Sequence, residues 1–195
     1  MTTPTLPPVA DRLAAQLLLE LRDCLCIETQ KTLSGPVCRC YVAWDQGVPV
    51  MNGCACECAT ENGKGVGDAW VRLVSVAPNL GQGITGSSGS VSGWDATVCF
   101  LGWIATIELG IVRCHPQPED PAQPLAAQTN TDVSLWRMSD FAAMRRAWRC
   151  CPALVDLTSL PVLFSPLGVM ANCSGGTFTI NVELSDVDIC GDGNP

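Results

Sequence analysis

Histidine and basic residues are scarce in this sequence. Its 195 residues include one histidine, His115, and 11 lysines and arginines against 19 aspartates and glutamates, which gives a net charge of −8. Proteins that grip nucleic acids use clustered lysine and arginine, so this balance argues against such a grip. An acidic surface still lets DNA slide past without being held, because it repels the phosphates.

Charged residues of either sign are also few, at 15% of the chain, whereas hydrophobic residues make up 47%. This composition excludes intrinsic disorder and is typical of a surface that partners cover. The chain is long enough for one buried core, so we expect a single α+β domain over residues 1–195.

No targeting or membrane-spanning segment is evident. The N-terminal apolar stretch has no positive charge before it, and acidic residues interrupt it. The longest apolar run, residues 96–112, contains Glu108 and is short for a membrane helix. We therefore expect no membrane contact.

The apolar pattern predicts helices over residues 9–26 and 132–151, the second with a candidate internal boundary at Ser139. Strands are predicted over residues 37–44, 54–59, 69–77, 96–114 and 177–184. The run over 96–114 is expected to be the central strand. This order predicts an antiparallel β-sheet flanked by an N-terminal helix and a second helix before the last strand.

Three further segments lack regular periodicity. Residues 78–93 are rich in glycine and serine and predict a flexible loop; residues 152–173 are apolar but irregular; residues 185–195 predict an acidic C-terminal tail. Residues 81–86 match the dinucleotide-binding pattern, but a Ser-Gly stretch follows where that chemistry needs a helix. Residues 186–191 begin like a calcium loop and lack its closing glutamate. We therefore predict no cofactor.

Thirteen cysteines are the most unusual feature of the composition. Their common spacing leaves one residue between them, which places two sulfurs on the same face of a strand, whereas zinc sites use gaps of two to four residues. We interpret most of them as small buried packing residues, with some disulfides as the alternative. A cysteine nucleophile needs a base, and His115 is the one imidazole available. We predict no catalytic residue and no metal site.

Three segments stand out: residues 68–74 (DAWVRLV), 107–116 (IELGIVRCHP) and 139–148 (SDFAAMRRAW). They resemble segments of neck proteins of tailed phages that infect actinobacteria, and a glycine turn at residues 174–176 before the final strand also fits. The order of helices and strands is similar to that of tail terminators. The heavy cysteine load and the long segments 78–93 and 152–173 depart from that family.

The resemblance implies a structural virion protein of the head-to-tail junction rather than an enzyme. Tail terminators form hexameric rings that cap the tail tube of major tail protein, join it to the stopper ring of the head connector, and let DNA pass. The chain would then reside in the host cytoplasm during assembly and later in the neck of the virion. A head-to-tail stopper or adaptor ring is the nearest alternative, and a small cysteine-stabilised binding module is an alternative of another class.

Overall fold

The computed structural model describes residues 9–44, 58–60, 63–79, 102–118, 120, 122–170 and 172–184. The elements in chain order are α1 Val9–Thr29, β1 Arg39–Ala43, β2 Cys58–Thr60, β3 Gly63–Gly65, β4 Asp68–Pro78, β5 Trp103–Cys114, α2 Ala127–Cys150, a single 3-10 turn Pro152–Leu154, β6 Ser159–Met170 and β7 Cys173–Leu184. This arrangement confirms the α+β class, with one helix before the strands and a second helix before the last of them.

Five strands form the main sheet, in the order β1-β4-β5-β7-β6, and β2 pairs with β3 in a separate hairpin. β5 is central, as predicted, and the pairs among β4, β5, β7 and β6 are antiparallel. The edge strand β1 instead runs parallel to β4, so the sheet is mixed rather than wholly antiparallel. A parallel pair needs a long connection, and residues 44–67 supply one.

Both helices pack on one face of the sheet. The core between them contains Leu21 and Leu25 from α1, Met144 from α2, Leu109 from β5 and Ile180 from β7, all fully buried. The leucines of α1 recur four residues apart, which places them on the same side of the helix. Burial of this aliphatic layer against water is the main force that holds helices and sheet together.

The opposite face of the sheet contains a buried tryptophan that explains one glycine. Trp70 on β4 lies opposite Gly110 on β5. A Cβ atom at position 110 would overlap the Trp70 indole ring, so only glycine leaves space for it. A glycine within a strand marks such a close approach of a neighbouring group.

Several boundaries differ from the sequence prediction. α2 begins at Ala127 and continues without a break through Ser139. Residues 152–173, expected to be irregular, contain the twelve-residue strand β6. Its two prolines obscured the pattern, but an edge strand tolerates proline because one side of it makes no ladder hydrogen bonds. Residues 174–176, where a glycine turn was expected, lie inside β7. The turn instead includes Asn172, two residues earlier, whose φ is 68°.

Some predictions fall outside the described residues. These include most of the loop 78–93, of which the structure describes Pro78 as the end of β4 and Asn79 after it. The acidic tail 185–195 and the first residues of the predicted strands 54–59 and 96–114 also lie there. Within the described part of the chain, neither helix combines the length and the apolar character needed to cross a bilayer.

Candidate functional site

His115, Ser174 and Arg137 form a group of polar contacts. The Nδ1 atom of His115, just after β5, lies 3.0 Å from the Oγ atom of Ser174 on β7. The Nη2 group of Arg137 donates to the same hydroxyl at 2.8 Å. Burial, and then the charge of Arg137, lower the pKa of His115. The Ser174 hydroxyl therefore accepts from Arg137 and lies within hydrogen-bond distance of the His115 ring, and Ser174 itself is buried.

A buried ion pair lies next to this contact. Arg113 of β5 and Asp140 of α2 are each 1% exposed, and their closest N–O distance is 2.8 Å. Arg113 also donates to the Val66 carbonyl at 2.8 Å and to the Thr32 hydroxyl at 3.0 Å. Arg137 adds a second cation to Asp140 at 3.3 Å. Because the described donors and acceptors satisfy each other, this cluster joins helix, sheet and loop structurally rather than presenting a reactive group.

The cysteines differ from the prediction that they are mainly unpaired packing residues. Cys24 is bonded to Cys151, and Cys26 to Cys40. Cys38, Cys114 and Cys173 are disulfide-bonded as well, whereas Cys150 is free and exposed.

The strand argument does not apply to Cys24 and Cys26, because both lie in α1, within the helix predicted over residues 9–26. Residues two apart on a helix point in widely different directions. Cys24 therefore bonds to Cys151 at the end of α2, and Cys26 bonds to Cys40 in β1. Within the described residues, no three His, Cys, Asp or Glu side chains are grouped as metal ligands would be.

Two acidic residues on the face of the sheet opposite the helices are already paired. Glu108 lies 2.9 Å from Arg72 and accepts from the Trp70 indole at 3.2 Å. Asp68 is fully buried and lies 2.9 Å from Arg39 of β1. These carboxylates hold neighbouring strands together, so they contribute little free negative charge to that face.

The two edges of the sheet expose apolar side chains. At the β1 edge, Val42 is 36% exposed and Trp44, directly after the strand, is 83% exposed. At the β6 edge, Leu160, Val162 and Leu163 are between 45% and 57% exposed. Apolar groups concentrated in this way mark surfaces that other molecules cover.

The β6 edge lies in the segment 152–173, which was expected to be apolar and irregular; residues 160–164 form part of the first half of β6. Phe164 turns inward and packs on Phe141 of α2, with ring centroids 4.3 Å apart. The β1 edge was missed because Val42 and Trp44 resemble an ordinary short strand, and only the sheet order shows that they lie at an edge.

No protein-family model matches the chain, and none of the curated proteins matches its sequence.

Proposed function

We propose that this chain is a ring-forming structural protein of a phage head-to-tail junction, and that its role is that of the tail terminator. The observation that carries the proposal is the pair of apolar edges, β1 with Trp44 and β6 with Leu163, at opposite ends of one sheet. In the ring, six copies cap the tail tube, meet the stopper ring on the head side, and surround the DNA.

Ring symmetry explains why two different edges matter. Identical subunits close a ring by heterologous contacts, in which one patch of each copy meets a different patch of the next. The β1 and β6 edges are four strand spacings apart, or about 19 Å. A subunit with apolar patches on opposite ends can contact one neighbour on each side. An isologous dimer would instead need one self-complementary patch.

The edges favour contact through side chains over continuous sheet formation. Pro161 and Pro166 on β6 have no backbone N–H group, so they interrupt any ladder with a strand from another copy. The exposed Leu160, Val162 and Leu163 remain available for packing. This combination suits a defined contact between globular subunits and disfavours open-ended strand addition.

The helix content supports the terminator over the stopper. Stoppers resemble β-barrels, whereas this chain has an open five-stranded sheet with helices of 21 and 24 residues on one face. The segments that resemble neck proteins lie in β4, in β5 with the two residues after it, and in the C-terminal half of α2. Electron microscopy of intact particles would separate the two roles, since the terminator lies against the tail tube.

Native mass spectrometry and light scattering test the ring directly. We expect a closed oligomer for the unmodified chain, and monomers for Trp44→Glu and for Leu163→Glu, because each puts a charge into one half of the contact. Leu135→Glu is the matched control: this α2 leucine is 54% exposed and belongs to neither edge.

Mixing the two variants gives a sharper test. The Trp44→Glu subunit keeps an intact β6 edge, and the Leu163→Glu subunit keeps an intact β1 edge. An equimolar mixture should therefore form heterodimers with one good contact and nothing larger. Monomers of the unmodified chain at all concentrations, or rings that persist in both variants, would refute the proposal.

A cysteine-stabilised binding module is the second candidate, and the disulfides favour it. Seven of the described cysteines are bonded, which is typical of small proteins that work in oxidising surroundings. Thiol counting under denaturing conditions, together with mass measurement of the native protein, separates the two. A fully oxidised monomer that stays monomeric supports the module, whereas an oligomer whose formation does not depend on oxidation supports the ring.

A further inference from the structure

An arginine cluster at the end of α2 stands out in this acidic protein. Arg145, Arg146 and Arg149, together with Trp148, line an open cleft of about 320 Å³. The Arg149 guanidinium lies 5.2 Å from the centroid of the Trp148 ring. We call this set the α2 arginine cluster.

Only one of the three arginines has a clear structural task. Arg146 lies 2.6 Å from Glu28 and so ties α2 to the end of α1. Arg145 and Arg149 are exposed, and neither forms an ion pair within the part of the chain that the structure describes. Cations near a helix C-terminus are favoured by the helix dipole, but a dipole effect needs no cleft and no aromatic wall. Two free guanidinium groups beside an indole suit a carboxylate ligand with an apolar flank.

The chain itself supplies such a ligand close by. Trp148 donates its indole N–H to the Ser159 hydroxyl at 2.9 Å, and Ser159 lies opposite Val182 of β7. Leu184, the last residue of β7, is two residues further along, or about 7 Å. The chain therefore leaves the sheet beside the α2 arginine cluster.

The segment that follows has complementary charge. Residues 185–195 contain Asp186, Asp188 and Asp192 and neither lysine nor arginine. Val187 and Ile189 alternate with the first two aspartates, so an extended segment presents carboxylates on one side and aliphatic groups on the other. Eleven residues in an extended chain span up to about 35 Å, so the segment is long enough to turn back from the end of β7.

We propose that residues 185–195 fold back onto the α2 arginine cluster of the same chain and dock there through Asp186 and Asp188. Arg145 and Arg149 bind the carboxylates of Asp186 and Asp188, which an extended segment presents on one side. This docking neutralises the basic patch within each subunit. It does not depend on the proposed ring function.

Amide relaxation of the full-length, ¹⁵N-labelled chain tests the proposal. At low ionic strength, where the Debye length is about 30 Å, we expect order parameters above about 0.6 for residues 186–189. At about 1 M salt, where the Debye length falls to about 3 Å, these values should drop to those of a free tail.

Charge exchange supplies the specific control. Arg145→Glu with Arg149→Glu should release the tail, and so should Asp186→Lys with Asp188→Lys, whereas all four changes together should restore its order. Arg22→Glu on α1 is the matched control and should leave the tail ordered. The melting temperature should fall by only about 2–4 °C, because Arg145 and Arg149 are exposed and stabilise the fold only through the helix dipole and the Trp148 ring.

Three results would overturn the proposal. The first is a mobile tail in the unmodified chain at low salt, and the second is a failure of the fourfold exchange to restore order. The third is order that appears only as protein concentration rises, which would assign the bound tail to a second copy.

Discussion

The two faces of the main sheet are stabilised in different ways, and the central strand β5 shows the contrast along its length. Ile107, Leu109 and Ile111 point toward the helices and are almost completely buried in an aliphatic core. Their neighbours Thr106 and Glu108 point the other way and make polar contacts across strands, to Asn181 and Arg72. The first face supplies most of the folding free energy, because burial of apolar area outweighs the small net gain of exchanged hydrogen bonds.

Covalent and ionic links reinforce the same face. The disulfides of Cys24 and Cys26 join α1 to the end of α2 and to β1. The Arg113–Asp140 pair joins the sheet to α2. The helix-covered face thus carries the described cross-links between helices and sheet. The following predictions compare the two faces, from the largest expected effect to the smallest.

Loss of the Cys24–Cys151 disulfide should cost the most. The bond closes a loop with a sequence separation of 127 residues, and the chain-entropy argument gives about 5 kcal/mol for a loop of that size. The double variant Cys24→Ser/Cys151→Ser should lower the free energy of unfolding in urea by about that amount. Cys150→Ser, which removes the neighbouring exposed thiol, should change it by less than about 0.5 kcal/mol. If the double variant lost no more free energy of unfolding than Cys150→Ser, the helix layer would not depend on this bond.

Asp140→Asn should destabilise the fold by about 4 kcal/mol, because it leaves Arg113 buried without a counter-charge. Urea unfolding measures the loss. The double variant Arg113→Met/Asp140→Leu should recover most of it, since replacing both charges with apolar groups removes the desolvation penalty. A double variant as unstable as Asp140→Asn would mean that the hydrogen bonds to Thr32 and Val66, not the charge balance, hold this corner.

Positions on the two faces of β5 should respond unequally to truncation. Leu109→Ala should cost about 3 kcal/mol, since it opens a cavity in the core. Thr106→Ala on the opposite face should cost about 1 kcal/mol, the typical net worth of the one hydrogen bond to Asn181 that it removes. Comparable losses at the two positions would contradict the contrast between the faces.

The sequence predicted the elements in which local pattern and tertiary role agree. The unbroken apolar run of β5 and the strict alternation from Thr177 to Leu184 reflect burial directly, so both strands were found. β6 was missed because its prolines oppose strand formation and only its edge position makes them acceptable. The parallel direction of β1 was missed because the composition of a strand does not determine the direction in which it pairs.

Contacts between residues distant in sequence could not be predicted either. Nothing local pairs Arg113 with Asp140, although an arginine at the end of an apolar strand and an aspartate within an apolar helix face are each unusual. The disulfide partners of Cys24 and Cys26 likewise follow only from where the end of α1 lies. The apolar edges at β1 and β6 follow from the sheet order, which no periodicity encodes.

The smallest effect concerns pH and the histidine contact. Burial, with the charge of Arg137, holds the pKa of His115 below 6.5 in the folded chain. The unfolded chain therefore binds more protons than the folded chain as the pH falls below about 6.5. Stability should be highest above that pH and decrease through the window just below it. Protonation would also put an N–H group against a Ser174 hydroxyl that already accepts from Arg137.

His115→Gln should flatten this part of the profile, because glutamine keeps a hydrogen-bond acceptor and does not titrate. Thermal unfolding between about pH 7 and pH 5 measures the difference. Glu28 affects stability in a separate, lower pH range. Burial acts to raise its pKa, but hydrogen bonds and charges from Lys31 and Arg146 lower it overall from 4.5. Its contribution is present above pH 4.5 and is lost only as the pH falls through the lowered value. If the stability of His115→Gln declined between pH 7 and pH 5 as steeply as that of the unmodified chain, the decline would not arise at His115.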